Sequence, residues 1–105
     1  MPQYALVMSH PPDNCPLTNK AVREFFKKAY PEFNSLARKM EVKVLLHIHL
    51  DPNHKSFALL DAPNAETVRD LAVRSGLMHF LEIDFHLVTP IDELFQHVDE
   101  MPTVY

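Results

Sequence analysis

The sequence has one glycine, one cysteine and no tryptophan. A phosphate-binding loop or a dinucleotide fingerprint needs several glycines at fixed spacing, so Gly76 alone excludes both motifs and, with them, a nucleotide cofactor. The single Cys15 excludes a disulfide within the chain and a zinc site made only of cysteines. A metal site in this protein would therefore combine at most one thiol with ligands of other types.

Excess positive charge and long apolar runs are also missing. Ten Lys and Arg stand against 14 Asp and Glu, which gives a net charge of −4 with neutral histidines. A nucleic-acid-binding protein shows a basic stripe, so we expect no nucleic-acid partner. No segment has the roughly 20 apolar residues that span a membrane, and the N-terminus lacks the basic start of a signal peptide. We expect a soluble, cytoplasmic protein without a membrane partner, and a lone cysteine fits that reducing compartment.

The remaining composition is that of a globular domain. Apolar residues account for 47% of the 105 positions and charged residues for 23%, which argues against disorder. A chain of this length forms one domain, so residues 1–105 are assigned to a single domain. Seven histidines are present, and they carry the functional interest of the sequence.

Apolar periodicity predicts four strands and three helices. The strands are predicted at residues 3–9, 42–50, 56–62 and 80–88. A long amphipathic helix follows the first strand, and a second helix begins at the N-cap Asn64 and ends at Gly76. A third helix follows Thr89, with Pro90 at its first position. This order is typical of an α+β fold, the ferredoxin-like βαββαβ sandwich with a four-stranded antiparallel sheet, here with an added C-terminal helix.

Details of these elements can also be predicted. The nearly continuous apolar run QYALVMS predicts a first strand that is buried on both faces. Pro31 lies inside the first helix and predicts a kink or break near Tyr30. Phe25, Phe26 and Phe33 of the first helix are predicted to lie in the core. Apolar spacing in the third helix predicts an inner stripe of Ile91, Leu94, Phe95 and Val98.

The ferredoxin-like topology gathers most of the histidines at one rim of the sheet. The ends of the first and second strands and the starts of the third and fourth strands lie at this rim. Five of the seven histidines and the only cysteine fall there: His10, Cys15, His47, His49, His54 and His79.

His47 and His49 are the sharpest feature of this rim, because residues two apart on a strand point to the same face. Two imidazoles on one face suit zinc, copper or nickel. We predict a site for one of these divalent metals at the rim. The predicted ligands are His10, His47 and His49, with Cys15, His54 or Glu82 completing the shell. The alternative is an exposed strand face that simply carries polar residues.

Two further features of the rim have alternative interpretations. The loop at residues 10–16 is a proline-rigid connection, or it presents Cys15 and His10 as a nucleophile and base before a helix N-terminus. Glu82 and Asp84 could act as a carboxylate pair, although charges that protect an edge strand against aggregation explain them better. For the loop too, the structural interpretation is favoured.

Three segments carry a resemblance to a known superfamily: YALVMSHPPDNCP, VKVLLHIHL with HKSFALLDA, and LAVRSGL. They resemble the dimeric α/β barrels, and most closely the small histidine-bearing members of uncharacterised or nickel-binding type. The resemblance implies a homodimer whose two sheets pack face to face around a cavity. It also implies that His47 and His49 lie in that cavity, on the open sheet face, with His10 at its mouth.

Three functions follow as hypotheses. The first is a homodimer that binds nickel, copper or zinc at the histidine rim. The second is a small-molecule monooxygenase or isomerase without a cofactor, since such enzymes belong to the same wider group, with a rim histidine as general base. The third is a structural or regulatory dimer without catalysis. In each case we expect a homodimer, because the helices can cover only one face of the sheet.

Overall fold

The computed structural model describes residues 1–105 and has the predicted βαββαβ order. The elements are β1 (Gln3–Ser9), α1 (Lys20–Lys39), β2 (Lys43–Leu50), β3 (Lys55–Asp61), α2 (Ala65–Arg74), β4 (Glu82–Val88) and α3 (Ile91–Gln96). Three short 3-10 turns lie at Pro12–Asn14, Leu77–His79 and Val98–Glu100. None of the helices has the length and apolar character needed to cross a membrane.

The four strands form one antiparallel sheet in the order β2-β3-β1-β4. This confirms the predicted α+β class and the ferredoxin-like sheet. Helices α1 and α2 cover one face, which we call the helix face, and the other is the open face. The core lies between the helices and the sheet, with fully buried Leu6, Phe33, Leu60, Val68 and Leu71 among its members.

Side-chain caps fix the starts of α1 and α2, and the cap of α2 is the predicted Asn64. The Asn19 side chain accepts a hydrogen bond from the Val22 N–H at 3.1 Å, and Asn64 accepts one from the Thr67 N–H at 2.8 Å. Helix α1 continues through Pro31, so the expected break is wrong. Proline removes only one backbone donor, and buried residues on both sides of it hold the two halves against one core.

Strand β1 is buried on one face only, contrary to the prediction. Tyr4, Leu6 and Met8 lie under the helices, whereas Val7 points to the open face and is 38% exposed. Since no helix packs on that face, a continuous apolar run is partly solvent-exposed there.

A β-bulge in β2 changes which face its side chains occupy. Val44 pairs with Leu60, but Leu46 pairs with Leu59, so Leu45 is an extra residue between them. Beyond the bulge the alternation is inverted relative to the expectation. His47 and His49 still share a face, but it is the helix face and not the open face that the family resemblance implies.

The C-terminal segment does not pack as predicted. Its proposed inner stripe is exposed, with Ile91 at 75% and Phe95 at 76%. Helix α3 has six residues, and Pro90 occupies its N-cap position without a side-chain hydrogen bond. A helix this short, after an edge strand, has no surface of its own domain to cover, and the molecule is correspondingly elongated at 52 × 32 × 20 Å.

Candidate metal centre

His10 and His54 are brought together by an extension of the β1–β3 pairing. Ser9 pairs with Lys55, and one step further the His10 N–H donates to the His54 carbonyl at 3.2 Å. His54 has a φ of 57°, a left-handed conformation that few non-glycine residues adopt. Its Nδ1 atom lies 3.3 Å from Nε2 of His10, and the rings meet edge to face with centroids 5.2 Å apart.

The loop before α1 adds the thiol of Cys15 to this pair. The 3-10 turn Pro12–Asn14 reverses the chain, and the Cys15 carbonyl then accepts from the N–H groups of Thr18 and Asn19 at 3.1 and 2.7 Å. Cys15 is 3% exposed and forms no disulfide. One ligand atom each from His10, Cys15 and His54 lie within 4.8 Å of one another. The loop is therefore both a rigid connection and the source of a convergent donor.

These three donors suit a transition-metal ion. Tetrahedral zinc with Zn–N bonds of about 2.0–2.1 Å and Zn–S bonds of about 2.3 Å holds its ligand atoms about 3.3–3.8 Å apart. The separation of 3.3 Å between the two ring nitrogens is already in that range. The second ring nitrogen of His10, Nδ1, is buried without a hydrogen-bond partner, which is rare for a polar atom in a folded protein.

Electrostatics favour the neutral imidazole that a metal requires. Burial lowers the pKa of His10 below its usual range, and the neighbouring charges of His54 and His49 lower it further. A histidine binds a metal through an unprotonated nitrogen. At neutral pH, His10 is therefore already in the state from which it can coordinate an ion.

His49 and His47 lie beside this cluster on β2. The Nδ1 atom of His49 is 2.7 Å from Oδ1 of Asp51, which leaves its Nε2 atom free. The ring of His47 lies against Tyr30 and Phe33, with centroid distances of 5.8 and 5.5 Å, and burial lowers its pKa. His49 is thus held by a carboxylate, and His47 is held by aromatic contacts.

The other rim residues lie apart from the three donors. Glu82 is exposed and pairs with Ser9 across β1 and β4. His79 is exposed, and its ring lies 5.2 Å from that of Phe25. Topology thus brings together His10, Cys15 and His54 as one group, with His49 and His47 next to it and Glu82 outside.

A cavity of about 340 Å³ opens beside the cluster, on the helix face. Its polar wall is formed by His10, Cys15, His47 and His49. Its apolar wall includes Phe26, Tyr30 and Phe80. The cavity is therefore lined both by potential metal ligands and by aromatic rings.

Sequence reasoning missed this cavity because it placed the aromatic residues of α1 in the core. Phe33 is completely buried, but Phe26 is 36% exposed and lines the cavity. The available signal was the position of Phe26 and Tyr30 one turn apart on α1, close to a strand that carries histidines. Asp51, which lies two positions after His49 and contacts its ring, was also missed.

Comparisons with known proteins agree on the fold. No family model matches the chain, and no curated protein matches it. A REP-associated tyrosine transposase, solved bound to a REP hairpin, is similar with a TM-score of 0.56 and 8% identity. That match covers 93% of this chain but only 62% of the transposase chain. The solution structure of the C-terminal domain of MgtC from Mycobacterium tuberculosis has a TM-score of 0.50 and 11% identity, covering 83% of this chain and 86% of that domain.

Proposed function

We propose that the protein binds a late first-row transition-metal ion, namely zinc, copper or nickel, through His10, Cys15 and His54. The observation that carries the proposal is the convergence of one thiol and two imidazoles within 4.8 Å. Thiolate and imidazole are ligands that these metals favour over calcium or magnesium, which take oxygen ligands. The thiol must be reduced to coordinate, which suits a cytoplasmic protein.

His49 is the fourth ligand in this proposal. It lines the same cavity as His10 and Cys15, and its Nδ1 atom is engaged by Asp51 at 2.7 Å. A carboxylate that holds the far nitrogen of a histidine fixes the ring and increases its basicity, as in many zinc sites. Of the predicted strand pair, His49 is therefore assigned to the metal, whereas His47 lies deeper, against Phe33.

Titration calorimetry of metal-free protein with zinc, copper and nickel tests the proposal. Removal of a direct ligand should lower affinity by at least about a hundredfold, since even outer partners contribute about ten- to a hundredfold. Cys15→Ala and His54→Ala should both show this loss. His97→Ala is the matched control, because His97 is exposed on the C-terminal segment and pairs with Glu100.

Cobalt provides a second readout, because a thiolate ligand adds a charge-transfer absorption band to the cobalt spectrum. The band should be present in the wild-type protein and absent in Cys15→Ala. If the wild-type protein binds no divalent metal more tightly than millimolar, or if Cys15→Ala and His54→Ala bind like the wild-type protein, the metal proposal is wrong.

A small-molecule isomerase or monooxygenase without a cofactor is the second candidate function. The observation in its favour is His47, whose pKa is lowered by burial and whose ring nitrogens have no hydrogen-bond partner in the chain. A neutral, unpaired imidazole in a cavity can accept a proton from a bound substrate. The two functions differ experimentally, because this one requires His47 and tolerates the loss of Cys15.

A homodimer is part of either proposed function. In the proposed dimer, the two chains pack against each other through their open faces. Apolar residues form two neighbouring rows across three strands of that face. The rows are Val7, Phe57 and Ile48, and next to them Ala5, Leu59 and Leu46. A contiguous apolar surface of this kind marks an interaction site. A structural dimer without catalysis would use the same surface.

A nucleic-acid partner is not part of the proposal. The REP hairpin belongs to the structure of the transposase, and only the fold is shared at this level of identity. The present chain has a net charge of −4, whereas affinity for nucleic acid depends on clustered Lys and Arg.

A further inference from the structure

We infer that the cavity beside the metal centre binds a small aromatic molecule carrying a hydroxyl group, a phenol, with the hydroxyl directed at His47. The inference deepens the proposed function. It rests on that function in one respect only, namely that the proposed metal ligands form part of the cavity wall. The binding of the ring and of the hydroxyl depends on the protein's own side chains.

The size of the cavity suits one substituted ring. A cavity of about 150 Å³ is sufficient for benzene, and this one measures about 340 Å³. It also lies at the lower end of the range of about 300–1,000 Å³ that is typical of small-molecule sites. A single ring with one or two substituents is of suitable size for it.

The apolar wall consists of aromatic rings that are placed so that the ring of a ligand packs against them. Phe26 lies between Tyr30, at a centroid distance of 5.9 Å, and Phe80, at 6.2 Å and 77°. Aromatic pairs prefer such tilted or edge-to-face contacts over direct stacking. Phe26 and Tyr30 are 36% and 43% exposed, so their rings have uncovered surface that a ligand ring would bury.

The polar end of the ligand is specified by His47. Its ring lines the cavity and is held against Tyr30 and Phe33, and a neutral imidazole has one nitrogen that accepts a hydrogen bond. A hydroxyl group donates such a bond, whereas an ether or a carbonyl cannot. His10 lines the same cavity as a further polar residue.

Charge favours a neutral ligand over a carboxylate. Lys55 is the one cationic residue that lines the cavity, but it is exposed and precedes Ser56 on β3, so its side chain starts on the open face. A buried carboxylate would therefore lack a partner of opposite charge, which is costly. A phenol has no charge to compensate.

The test uses two probes of nearly equal shape, 4-methylphenol and 4-methylanisole, with and without bound zinc. Binding is followed by amide chemical shifts in NMR spectra and by calorimetry. The phenol should bind metal-free protein and shift signals around Phe26, Tyr30 and His47. Its affinity should exceed that of the anisole by about fivefold, the contribution of one ordinary hydrogen bond.

Variants separate this inference from the metal proposal. His47→Phe should lower phenol affinity about fivefold and remove the preference over the anisole, yet bind zinc like the wild-type protein. His86→Phe, on exposed β4, is the matched control and should change neither. The inference is overturned if both probes bind equally to the wild-type protein, if neither binds, or if the shifts map to Val7 and Phe57 on the open face. If the phenol binds but zinc does not, the inference is supported and only the metal site is rejected.

Discussion

Nδ1 of His54 lies 3.3 Å from Nε2 of His10, although the two residues are 44 positions apart in the chain. At this distance the two nitrogens share one proton at most, since two N–H groups cannot point at each other. Protonation of both rings would place two positive charges in contact. A metal cation can take the place of the shared proton, and this connects the protonation of the pair to its metal chemistry.

Stability should fall as the pH is lowered through the histidine range. Burial lowers the pKa of both His10 and His47. An unfolded histidine titrates near about 6.5, so below that pH the unfolded chain binds more protons than the folded one. The contribution to stability is then complete above about pH 6.5 and is lost as the pH falls further. Thermal melts of metal-free protein at pH 8, 6.5 and 5.5 should show a decreasing Tm.

His47→Phe supplies the comparison for this pH dependence. One of the two groups with a lowered pKa is removed, so the decrease in Tm between pH 6.5 and 5.5 should become smaller while the effect of His10 remains. An equal decrease in the variant and the wild-type protein would exclude His47 as a contributor. A flat wild-type curve would contradict the neutral cluster itself.

Asp51→Asn should weaken metal binding without weakening the fold. Asp51 is exposed, and its carboxylate accepts a hydrogen bond from Nδ1 of His49 at 2.7 Å. An amide cannot supply the charge that raises the basicity of His49, so affinity for zinc should drop about tenfold or more. Calorimetry measures the affinity, and the Tm of the metal-free variant should stay within a few degrees. Unchanged zinc affinity in Asp51→Asn would remove His49 from the ligand set.

The elements that follow from local patterns were predictable, and those that depend on tertiary contacts were not. Asn64 and Gly76 mark the ends of α2 because capping depends on a few neighbouring residues. The convergence of His10 and His54 follows from sheet topology. The bulge at Leu45 has no signal in a run of three apolar residues, so the face of His47 could not be assigned. The exposure of α3 depends on whether a surface exists for it to cover.

Gly76→Ala should destabilise the protein by roughly 1–3 kcal/mol. Gly76 has a φ of 85°, where a side chain is strained, and an added Cβ would lie 2.9 Å from Cζ of Phe25. Urea unfolding measures the loss. The double variant with Phe25→Ala removes the clash but keeps the backbone strain, so Gly76→Ala should cost about 1 kcal/mol in that background. No loss in either background would contradict the left-handed conformation.

Val7→Lys should convert the proposed homodimer into a monomer. Val7 lies on the open face beside Phe57, and it is 38% exposed. In a dimer that pairs these faces, a lysine would be buried against apolar residues without a partner, which is strongly unfavourable. Light scattering should give twice the chain mass of 12.1 kDa for the wild-type protein and a single chain mass for the variant.

Val73→Lys is the matched control for the interface, because Val73 is an exposed apolar residue of α2, on the opposite side of the sheet. The substitution adds the same charge to the exposed surface of α2, away from the proposed interface. The control should therefore keep the mass of the wild-type protein. In the Val7→Lys monomer, the side chain projects into water on a face that already tolerates exposure, so circular dichroism should show an intact fold. A wild-type protein of single chain mass at micromolar concentration would reject the dimer and leave the open face without a partner of its own kind.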